Sequence, residues 1–464
     1  MTNLIETPVL ERTLQAALRA GGDFAEVFGE DRRGSSGRFD DGRVEELTSG
    51  RSRGAGIRVV RGDTTGFAHT ADLSATGLVE AAEAAAAAAR TGGGGVREIA
   101  LEARPSTPYE PEIAPESVPK ARKVELLRVA DAAARGEGGA IRSVTASFAD
   151  SRRRIVVANS DGLLTGDEQV RTRFGVQTVA AGDTGMQTGY EAPGRTLGFE
   201  FFDQFDVEEI ARKSARRAIT MLDAQPAPSG SLTVVLAKGA GSVLFHEACG
   251  HGLEADLVQR AASVFEGKRG EQVASPLVTL VDQGAYAREW GTFAIDDEGH
   301  PAQRNVLIEN GVLNDYMWDY LRARKEGRAS SGNGRRESYQ VLPMVRMTNT
   351  YLEPGTTDPD DIVRDTEHGI YCVQLGGGQV DTATGDFVFG ITEAYMIEHG
   401  KITHPIRAAQ LIGNGPEILH RIDVVGNDFD TWTGMCGKNG QSVPVSSGQP
   451  TLRVTGITVG GTAA

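Results

Sequence analysis

The feature that most limits how this chain can fold is a linker-like segment near its middle, residues 223–231 (DAQPAPSGS). Proline, glycine and serine interrupt regular structure and favour extended or turning backbone. The segment therefore predicts two domains, one at residues 1–223 and the other at residues 232–464. With 464 residues in all, each part has enough chain to bury a core of its own.

The first part mixes strand and helix patterns, so we expect an N-terminal α/β domain that contributes to binding a substrate or a partner. The Asp40-Asp41-Gly42 sequence predicts a hairpin turn within it. Strands are predicted at residues 23–31, 57–60, 143–150, 154–158 and 170–181, with a basic turn joining the third and fourth. Helices are predicted at residues 72–90, 120–135 and 207–222, the first of them ended by the glycines at 92–95.

A short pattern occurs twice in this part of the chain. Gly182-Asp183-Thr184 repeats Gly62-Asp63-Thr64, and both follow strand-like segments. One interpretation is an internal repeat of a strand–turn–strand unit with a helix between the copies. The alternative is chance, because glycine makes up 59 of the 464 residues.

The sequence of residues 232–464 predicts many short strands and few helices. Asn310-Gly311 and Glu398-His399-Gly400 predict hairpin turns. Strands are predicted at residues 233–237, 276–282, 306–309, 311–317, 345–352, 387–397 and 451–459. The expected fold class is α+β, with the N-terminal α/β domain followed by a mainly antiparallel β domain that carries a metal-binding helix.

Charge and composition limit the cellular setting and the partners. Lysine and arginine number 48 against 63 aspartates and glutamates, a net charge of −15 that argues against nucleic-acid and anionic-membrane surfaces. No apolar run is long enough to span a bilayer, and residues 1–12 lack the apolar core of a signal peptide. Three cysteines do not make a disulfide framework. We expect a cytoplasmic protein with no nucleic-acid or membrane partner.

The segment at residues 239–254 (GAGSVLFHEACGHGLE) carries the strongest chemical signal. Two histidines beside a glutamate are the pattern of zinc hydrolases, in which the imidazoles hold the metal and the glutamate activates a water. The usual spacing is four residues, but His246 and His251 are five apart, which separates them by roughly 140° on an ideal helix. The two imidazoles can converge only if the helix is locally widened into a π turn, and Gly250 would ease that widening. Ser242 is predicted to cap the start of this helix.

A catalytic metal needs a third protein ligand, and three residues qualify by type. Glu254 follows His251 by three residues, and Cys249 lies inside the motif on neither histidine's side of a regular helix. Cys436 lies in a glycine-flanked turn far along the chain, where a backbone can approach a metal closely. A His, His, Cys set is an accepted catalytic zinc geometry, which favours Cys436. Cys372, in a strand-like segment, is expected to be a small core residue.

These motifs resemble the TldD/PmbA family of metallopeptidases, and specifically its TldD branch. The matching segments begin with HEACGHGLEAD at His246 and end with ITVGG at Ile457. Between them lie DDEG at residue 296, SGNGRRESY at 331, RMTNTYLEPG at 346, GDFVFGITEAYMIEHGKI at 385 and MCGKNGQSVPVSSGQPTLRV at 435. The first 220 residues resemble the family's N-terminal domain more loosely, and the metal motif separates the chain from the metal-free PmbA (TldE) branch.

The resemblance implies a zinc peptidase that hydrolyses unfolded or extended peptides. It assigns His246, His251 and Cys436 to the metal and makes Glu247 the general base. It also implies a catalytic C-terminal domain and a dimer, formed with a second copy or with a metal-free PmbA/TldE-type sibling. Tyr339, His368 and His399 are candidates for stabilising the oxyanion by residue type alone.

Two alternatives stay open. The same site could hydrolyse an amide bond of a small peptide-like metabolite in a biosynthetic pathway. The chain could instead be a non-enzymatic binding subunit, although the presence of His246, Glu247, His251 and Cys436 together counts against that interpretation.

Overall fold

The structure is a computed structural model that describes residues 4–89 and 97–461. The α-helices are α1 (Thr7–Leu18), α2 (Ala75–Ala88), α3 (Lys120–Gly136), α4 (Phe201–Gln204), α5 (Val207–Leu222), α6 (Ser242–Phe245), α7 (Ala255–Val258), α8 (Tyr320–Lys325), α9 (Pro359–Arg364) and α10 (Gly415–His420). The predicted helices are confirmed as α2, α3 and α5. The glycines expected to end α2, at residues 92–95, lie outside the described residues.

Three sheets of six or eight strands and one two-stranded ribbon are built from the described strands. The strands are β1 (Phe24–Asp40), β2 (Arg43–Arg61), β3 (Thr64–Thr70), β4 (Glu102–Ala103), β5 (Ile141–Asn159), β6 (Leu163–Gly182), β7 (Gly185–Glu191), β8 (Gly194–Arg195), β9 (Gln225–Pro226), β10 (Gly230–Leu236), β11 (Leu280–Gln283), β12 (Arg304–Glu309), β13 (Val312–Leu313), β14 (Gly334–Arg335), β15 (Met344–Val345), β16 (Asn349–Leu352), β17 (His368–Val380), β18 (Asp386–Glu398), β19 (Lys401–Arg407), β20 (Gln410–Asn414), β21 (Ile422–Val425), β22 (Asp430–Lys438), β23 (Gln441–Gln449) and β24 (Leu452–Gly460).

The first sheet is formed by the N-terminal part of the chain. Its order is β3-β2-β1-β5-β6, with β4, β7 and β8 also paired to β6. Helices α1 and α2 bury Leu14 and Ala82 against one region of this sheet, and α3 and α5 bury Leu127 and Ala215 against another. Two antiparallel meanders, β1–β2–β3 and β5–β6–β7, contain the two Gly-Asp-Thr turns that indicated an internal repeat.

One prediction for this sheet is wrong. Residues 143–150 and 154–158 are not two strands joined by a basic turn but parts of one 19-residue strand, β5. Arg153, expected in the turn, stays in the strand and forms ion pairs with Glu30 on β1 and with Asp297. The arginine run is therefore held in extended backbone by acidic partners that are distant in the sequence.

The second and third sheets lie in the C-terminal part and are mainly antiparallel, which confirms the expected α+β class. The second sheet follows β17-β10-β24-β20-β18-β19-β9, with β21 beside β24, and the third follows β13-β12-β11-β16-β23-β22. A continuous apolar core, which includes Leu236, Phe245, Leu280 and Phe389, lies beneath them. Within this core, the short helical segment after β10 packs against β16 and β23.

The predicted hairpin turns are confirmed, because Asp41, Asn310 and His399 each have positive φ and are followed by a positive-φ glycine. Three predicted strands differ from expectation. Residues 345–352 are divided between β15, which ends at Val345, and β16, which begins at Asn349. Val278 donates a backbone hydrogen bond to Ser275, so β11 begins only at Leu280. Met317 donates to Leu253 instead of continuing β13. No helix of the described residues is long and apolar enough to cross a bilayer.

Candidate metal centre

The histidine motif lies on a helical segment whose winding changes along its length. Helix α6 is followed by a π-helical turn at His246–Gly250 and then by a 3₁₀ turn at His251–Leu253. The backbone N–H of His251 donates to the carbonyl of His246, which is the i+5 bond of a π turn. The widening expected from the five-residue spacing is confirmed, and it turns both imidazoles to one side.

His246, His251 and Cys436 converge at the start of this turn. Their potential ligand atoms all lie within 4.8 Å of one another, and all three side chains are buried. The imidazole rings are 5.1 Å apart and nearly perpendicular. Cys436 reaches them from near the end of β22, and not from the turn that its flanking glycines predicted, with Sγ 3.4 Å from His251 Nε2. The structure therefore joins two local residues and one distant residue in a single potential ligand set.

A series of polar contacts fixes the His251 ring on the side that faces away from Cys436. Its Nδ1 lies 2.9 Å from an oxygen of Glu254, a fully buried carboxylate. Lys438, two residues beyond Cys436, donates to the same carboxylate at 2.9 Å and to Asp256 at 2.7 Å. Although burial opposes the charged form, His251 and Lys438 lower the pKa of Glu254 to about 2. An ionised Glu254 accepts a hydrogen bond from the Nδ1–H group of His251, so that Nε2 faces Cys436.

The Cys436 thiol is similarly biased toward its charged form. Burial alone would raise its pKa, but the adjacent His246 and His251 lower the pKa of Cys436 to about 4. Arg346 also donates a hydrogen bond to the backbone carbonyl of Cys436, which fixes this point of β22. A thiolate is the form of cysteine that binds metals.

Glu247 is the next residue after the first histidine, and its side chain is partly exposed. One carboxylate oxygen lies 3.8 Å from His251 Nε2, and 28% of the side chain is accessible. The carboxylate therefore lies beside the ligand set and remains open to solvent. In this position it can exchange protons with a water or a substrate near the three ligands.

Two local expectations about this helix are wrong. Ser242 is the first helical residue and does not cap the helix through its side chain; its hydroxyl instead donates to Gly239. Gly250 has an ordinary right-handed helical conformation, so it does not supply backbone freedom. A Cβ on Gly250 would lie 2.2 Å from the Met347 sulfur, so close packing against Met347 is what requires glycine here.

The other ligand candidates have different surroundings. Cys249 is buried and donates to the carbonyl of Phe245, and burial raises the pKa of its thiol to about 12. Glu254 contacts His251 from the side away from Cys436, as described above. Cys372 is fully buried in the apolar core, which confirms the expectation that it is a core residue.

The three oxyanion candidates lie elsewhere in the described part of the chain. Tyr339 is buried in a small apolar cluster with Phe28 and Ile295. His368 is exposed at the start of β17, and His399 is 89% exposed and paired with Glu367. Within the described ranges, no hydrogen bond joins any of them to the three ligand residues, so the geometry gives them no role at the site.

Sequence reasoning missed the residues that support the ligands. Lys438 belongs to the same CGK segment as Cys436, so the motif contained the signal. Arg346 and Asp256 act through contacts that span 90 and 182 residues of sequence. Only the fold shows which backbone carbonyl or side chain such residues reach.

The donor set fits a tetrahedral metal with mixed nitrogen and sulfur ligands. For metal–ligand bonds of about 2.0–2.3 Å, tetrahedral geometry separates neighbouring donors by about 3.5 Å. The Sγ–Nε2 distance of 3.4 Å agrees with that value. His246 Nδ1 is buried and has no hydrogen-bond partner among the described residues, which leaves an uncompensated polar atom beside the site. Two imidazoles and a thiolate are the ligand types that Zn²⁺ accepts, with one position left open.

Family models match almost the whole chain. Residues 25–89 match the PmbA/TldA metallopeptidase domain 1, residues 113–222 match the central domain and residues 229–461 match the C-terminal domain. The first two matches lie in the part of the chain that forms the first sheet, and the third lies in the part that forms the second and third sheets. The final match contains all three potential ligands and Glu247.

Curated proteins of similar sequence are named as metalloproteases. A metalloprotease TldD homologue from Haemophilus influenzae is 40% identical over 449 residues, which covers 95% of this chain and 93% of that protein. A metalloprotease from Methanothermobacter thermautotrophicus is 37% identical, with coverage of 95% and 96%. A zinc metalloprotease TldD homologue from Saccharolobus solfataricus is 32% identical, over 56% of this chain and 58% of its own.

Solved structures share the fold at lower sequence identity. One is a candidate modulator of a DNA gyrase from Thermotoga maritima, with a TM-score of 0.78, 22% identity and coverage of 94% and 96%. Another is TldE from Thermococcus kodakarensis, with a TM-score of 0.77, 20% identity and coverage of 94% and 97%. At these identities the likeness concerns the fold alone.

Proposed function

Because the chain belongs to the PmbA/TldD family of metallopeptidases, we propose that it is a zinc-dependent peptidase whose substrates are unfolded or extended peptides. The proposal assigns His246, His251 and Cys436 to the zinc ion and Glu247 to proton transfer. It also assigns catalysis to residues 232–464 and substrate or partner binding to residues 1–223. The relatives' names support the metallopeptidase class, and the residues of the site support the finer assignment.

One observation carries the proposal: three buried side chains of types that bind metals converge beside a solvent-accessible carboxylate. A purely structural zinc site is normally closed by four protein ligands. Here three ligands leave a position facing Glu247, which is the arrangement of a catalytic site. This arrangement favours an enzyme over a non-enzymatic binding subunit.

Zinc, when bound, lowers the pKa of a coordinated water and polarises a carbonyl group. Glu247 takes the proton from the attacking water and then delivers it to the leaving amine of the cleaved peptide bond. Glu254 keeps the Nδ1 proton of His251 in place throughout, because Lys438 holds that carboxylate ionised and fixed. The burial of the ligands excludes bulk water from their side of the site.

We infer that the working form is a dimer, either with a second copy or with a metal-free PmbA/TldE-type sibling. The shared fold with TldE supports the second arrangement. Light scattering on the purified protein, alone and mixed with such a sibling, would distinguish the two. Full peptidase activity at a mass of one chain would contradict both.

The decisive test is zinc content measured by mass spectrometry on the native protein and its variants. We expect about one zinc per chain, lost in His246→Ala and Cys436→Ser and kept in the exposed control His399→Ala. Glu247→Gln should keep the zinc and lose at least about 100-fold in kcat/KM on an extended peptide, because only the proton carrier has changed.

Three outcomes would overturn parts of this assignment. Zinc retained in Cys436→Ser but lost in Glu254→Gln would move the third ligand to Glu254. A native protein that holds no zinc after reconstitution would favour the binding-subunit alternative. Zinc binding with cleavage of small amide-bonded metabolites, but not of extended peptides, would favour the biosynthetic alternative.

A further inference from the structure

A cavity of about 220 Å³ lies between the long strands of the first sheet and the β22–β23 hairpin. Its walls include Met435 and Pro444 of that hairpin and Trp290. Five arginines line it: Arg32, Arg153, Arg171, Arg335 and Arg336. This concentration of positive charge is unexpected in a chain whose net charge is −15. The question is whether acidic residues of the protein neutralise it.

Arg171 forms no ion pair with a carboxylate in the described part of the chain. Its three nitrogens donate to the backbone carbonyl of Trp290 at 2.8 Å, to the side-chain oxygen of Gln169 at 2.8 Å and to the carbonyl of Thr292 at 2.9 Å. Two acids precede it on the same strand: Glu168 is paired with Arg152, and Asp167 is separated from Arg171 by Gln169, which donates to that carboxylate. Arg171 is 4% exposed, so its charge is buried and held only by neutral groups.

Arg335 repeats this pattern on the other wall of the cavity. It donates to the carbonyls of Met347 at 2.6 Å and Pro444 at 2.7 Å, and it is 5% exposed. No ion pair joins either guanidinium to a carboxylate of the described residues. Burial and the neighbouring arginines lower the pKa of Arg171 to about 9. Burial, together with Arg346 and Arg153, lowers the pKa of Arg335 to about 10.

The acids that line the cavity already have partners. Asp297 is paired with Arg153 at 2.8 Å, and Asp150 is paired with Lys123 at 2.6 Å. Glu337 is exposed and accepts the backbone N–H of Ser442 at 3.1 Å. Arg32, at the exposed rim, forms no ion pair with a described residue. The cavity therefore carries more positive than negative charge, and buried charges of this kind are normally compensated.

The cavity and the metal centre share a structural element. Met435 and Val443, which line the cavity, are the neighbour and the cross-strand partner of Cys436. A group bound in the cavity would therefore lie close to a peptide held at the metal. A carboxylate matches the fork of a guanidinium and supplies the missing negative charge.

We propose that this arginine-lined cavity is a substrate subsite that binds a carboxylate of the peptide near the bond to be cleaved. The proposal rests on the proposed peptidase function and adds a specificity to it. The carboxylate has two sources, an Asp or Glu side chain or the C-terminus of the peptide. Arg171 and Arg335 form the buried walls of the subsite, and Arg32 supplies charge at its entrance.

The test uses the zinc-loaded protein, in the oligomeric state in which it is purified, and two pairs of internally quenched peptides of one neutral sequence. The first pair differs by Glu against Gln at one position, which is moved along the peptide. The second pair differs by a free against an amidated C-terminus. We expect the native protein to prefer the carboxylate member of one pair by about tenfold in kcat/KM. The preferred pair identifies the source.

Two arginine variants then test whether the cavity causes the preference for a carboxylate. Arg32→Gln removes an exposed charge that forms no ion pair with a described residue, so the variant should fold normally and reduce the preference severalfold. Arg171→Gln should abolish the preference, with zinc content and thermal unfolding as checks that it has folded. The matched control is Arg33→Gln, the neighbouring exposed residue that does not line the cavity, and it should keep the full preference.

The failures of the two proposals can be told apart. Equal cleavage of both members of every pair, or a preference that survives in Arg32→Gln and Arg171→Gln, would overturn the subsite and leave the peptidase function intact. If the zinc-loaded protein cleaves no peptide, the peptidase proposal fails. The subsite is then judged by fluorescence anisotropy of labelled peptides on Glu247→Gln, where equal affinities within each pair would overturn it.

Discussion

Lys438 is the residue that links the two halves of the proposed metal centre. It lies two positions from Cys436 on β22, and its ammonium group contacts Glu254 and Asp256 near the histidine turn. Its side chain is 8% exposed, so these contacts are shielded from water and salt. One side chain thus sets the position of β22 relative to the turn and the orientation of His251.

Replacing Lys438 with Met should weaken zinc binding without removing a ligand. The loss of its contacts frees Glu254 and relaxes the orientation of His251, and changes of this kind cost about 10–100-fold in metal affinity. Competition with a chelator measures the affinity directly. Lys401→Met, at an exposed hairpin position, is the matched control and should bind zinc as the native protein does. An unchanged affinity in Lys438→Met would show that Glu254 needs no such support.

Asp31 offers a test of pH dependence away from the site. It accepts hydrogen bonds from Arg51 at 2.8 Å and Arg154 at 2.9 Å, and the Arg51 bond is the main cause of the lowered pKa of Asp31. Because the folded pKa lies below the unfolded value of about 3.9, this stabilisation is present above that pH and is lost as the pH falls through the folded pKa.

Asp31→Asn should therefore have a lower melting temperature than the native protein at about pH 5, and this gap in melting temperature should narrow toward about pH 3. The control is Asp183→Asn, in an exposed turn and without an ion pair to any described residue, and it should show little gap at either pH. A gap for Asp31→Asn that is constant or widens on acidification would contradict this assignment.

At the residue scale, the sequence predicts which side chains can bind a metal better than it predicts which contacts a side chain makes. His246 and His251 are five positions apart, so their convergence could be derived from helix geometry. Cys436 could be selected because few residue types bind a metal with two imidazoles. The contacts of Arg171 and Arg335 depend on which backbone carbonyls approach them in three dimensions, and no spacing rule supplies that.

The π turn is the element on which the site depends, and its packing leaves no room for a side chain at Gly250. Gly250→Ala should cost about 1–3 kcal/mol of stability, because Met347 is fully buried and must move to admit the new methyl group. The same movement should lower zinc affinity, since Gly250 directly precedes His251. Thermal unfolding and chelator competition measure the two effects.

Gly136→Ala is the matched control, because Gly136 is also helical and nothing lies within 4 Å of its Cβ position. It should be neutral or slightly stabilising. Equal effects of the two substitutions would show that the contact between residues 250 and 347 does not restrict the turn.

The elements differ in how far local pattern determines them. Helix α5 is predicted at residues 207–222 and found there, because its apolar periodicity is strong and Asp206 caps it. Strand β5 is predicted as two pieces because Arg152, Arg153 and Arg154 resemble a solvated turn. Their partners come from β1, β6 and the loop at residues 296–299, so only tertiary pairing explains why the strand continues.

At the scale of the whole molecule, a buried ionic cluster joins the two parts of the chain. Glu26 on β1 accepts hydrogen bonds from Arg58 at 2.8 Å and from Arg336 at 2.5 Å, the latter 310 residues away in sequence. Arg58 also pairs with Glu298 at 2.8 Å. All these side chains are at most 1% exposed. The N-terminal sheet is therefore tied to the loops that support the third sheet.

Glu26→Gln should destabilise the protein by about 3–5 kcal/mol, because it leaves Arg336 buried without its carboxylate. Thermal unfolding measures the effect. Asp361→Asn, which breaks a solvent-exposed pair with Arg364, is the control and should change stability by less than about 1 kcal/mol. A similar small change in Glu26→Gln would show that the cluster does not tie the parts together.

The separation of 185 residues between His251 and Cys436 has a consequence for synthesis on the ribosome. A nascent chain that has reached the end of β21 contains both histidines and Glu247 but lacks the third ligand. Strand β24, which pairs with β10 and β20 within the second sheet, emerges later still. The proposed hydrolytic centre is therefore assembled only after residue 436 has been translated, so a nascent chain that stops before this point has an incomplete ligand set.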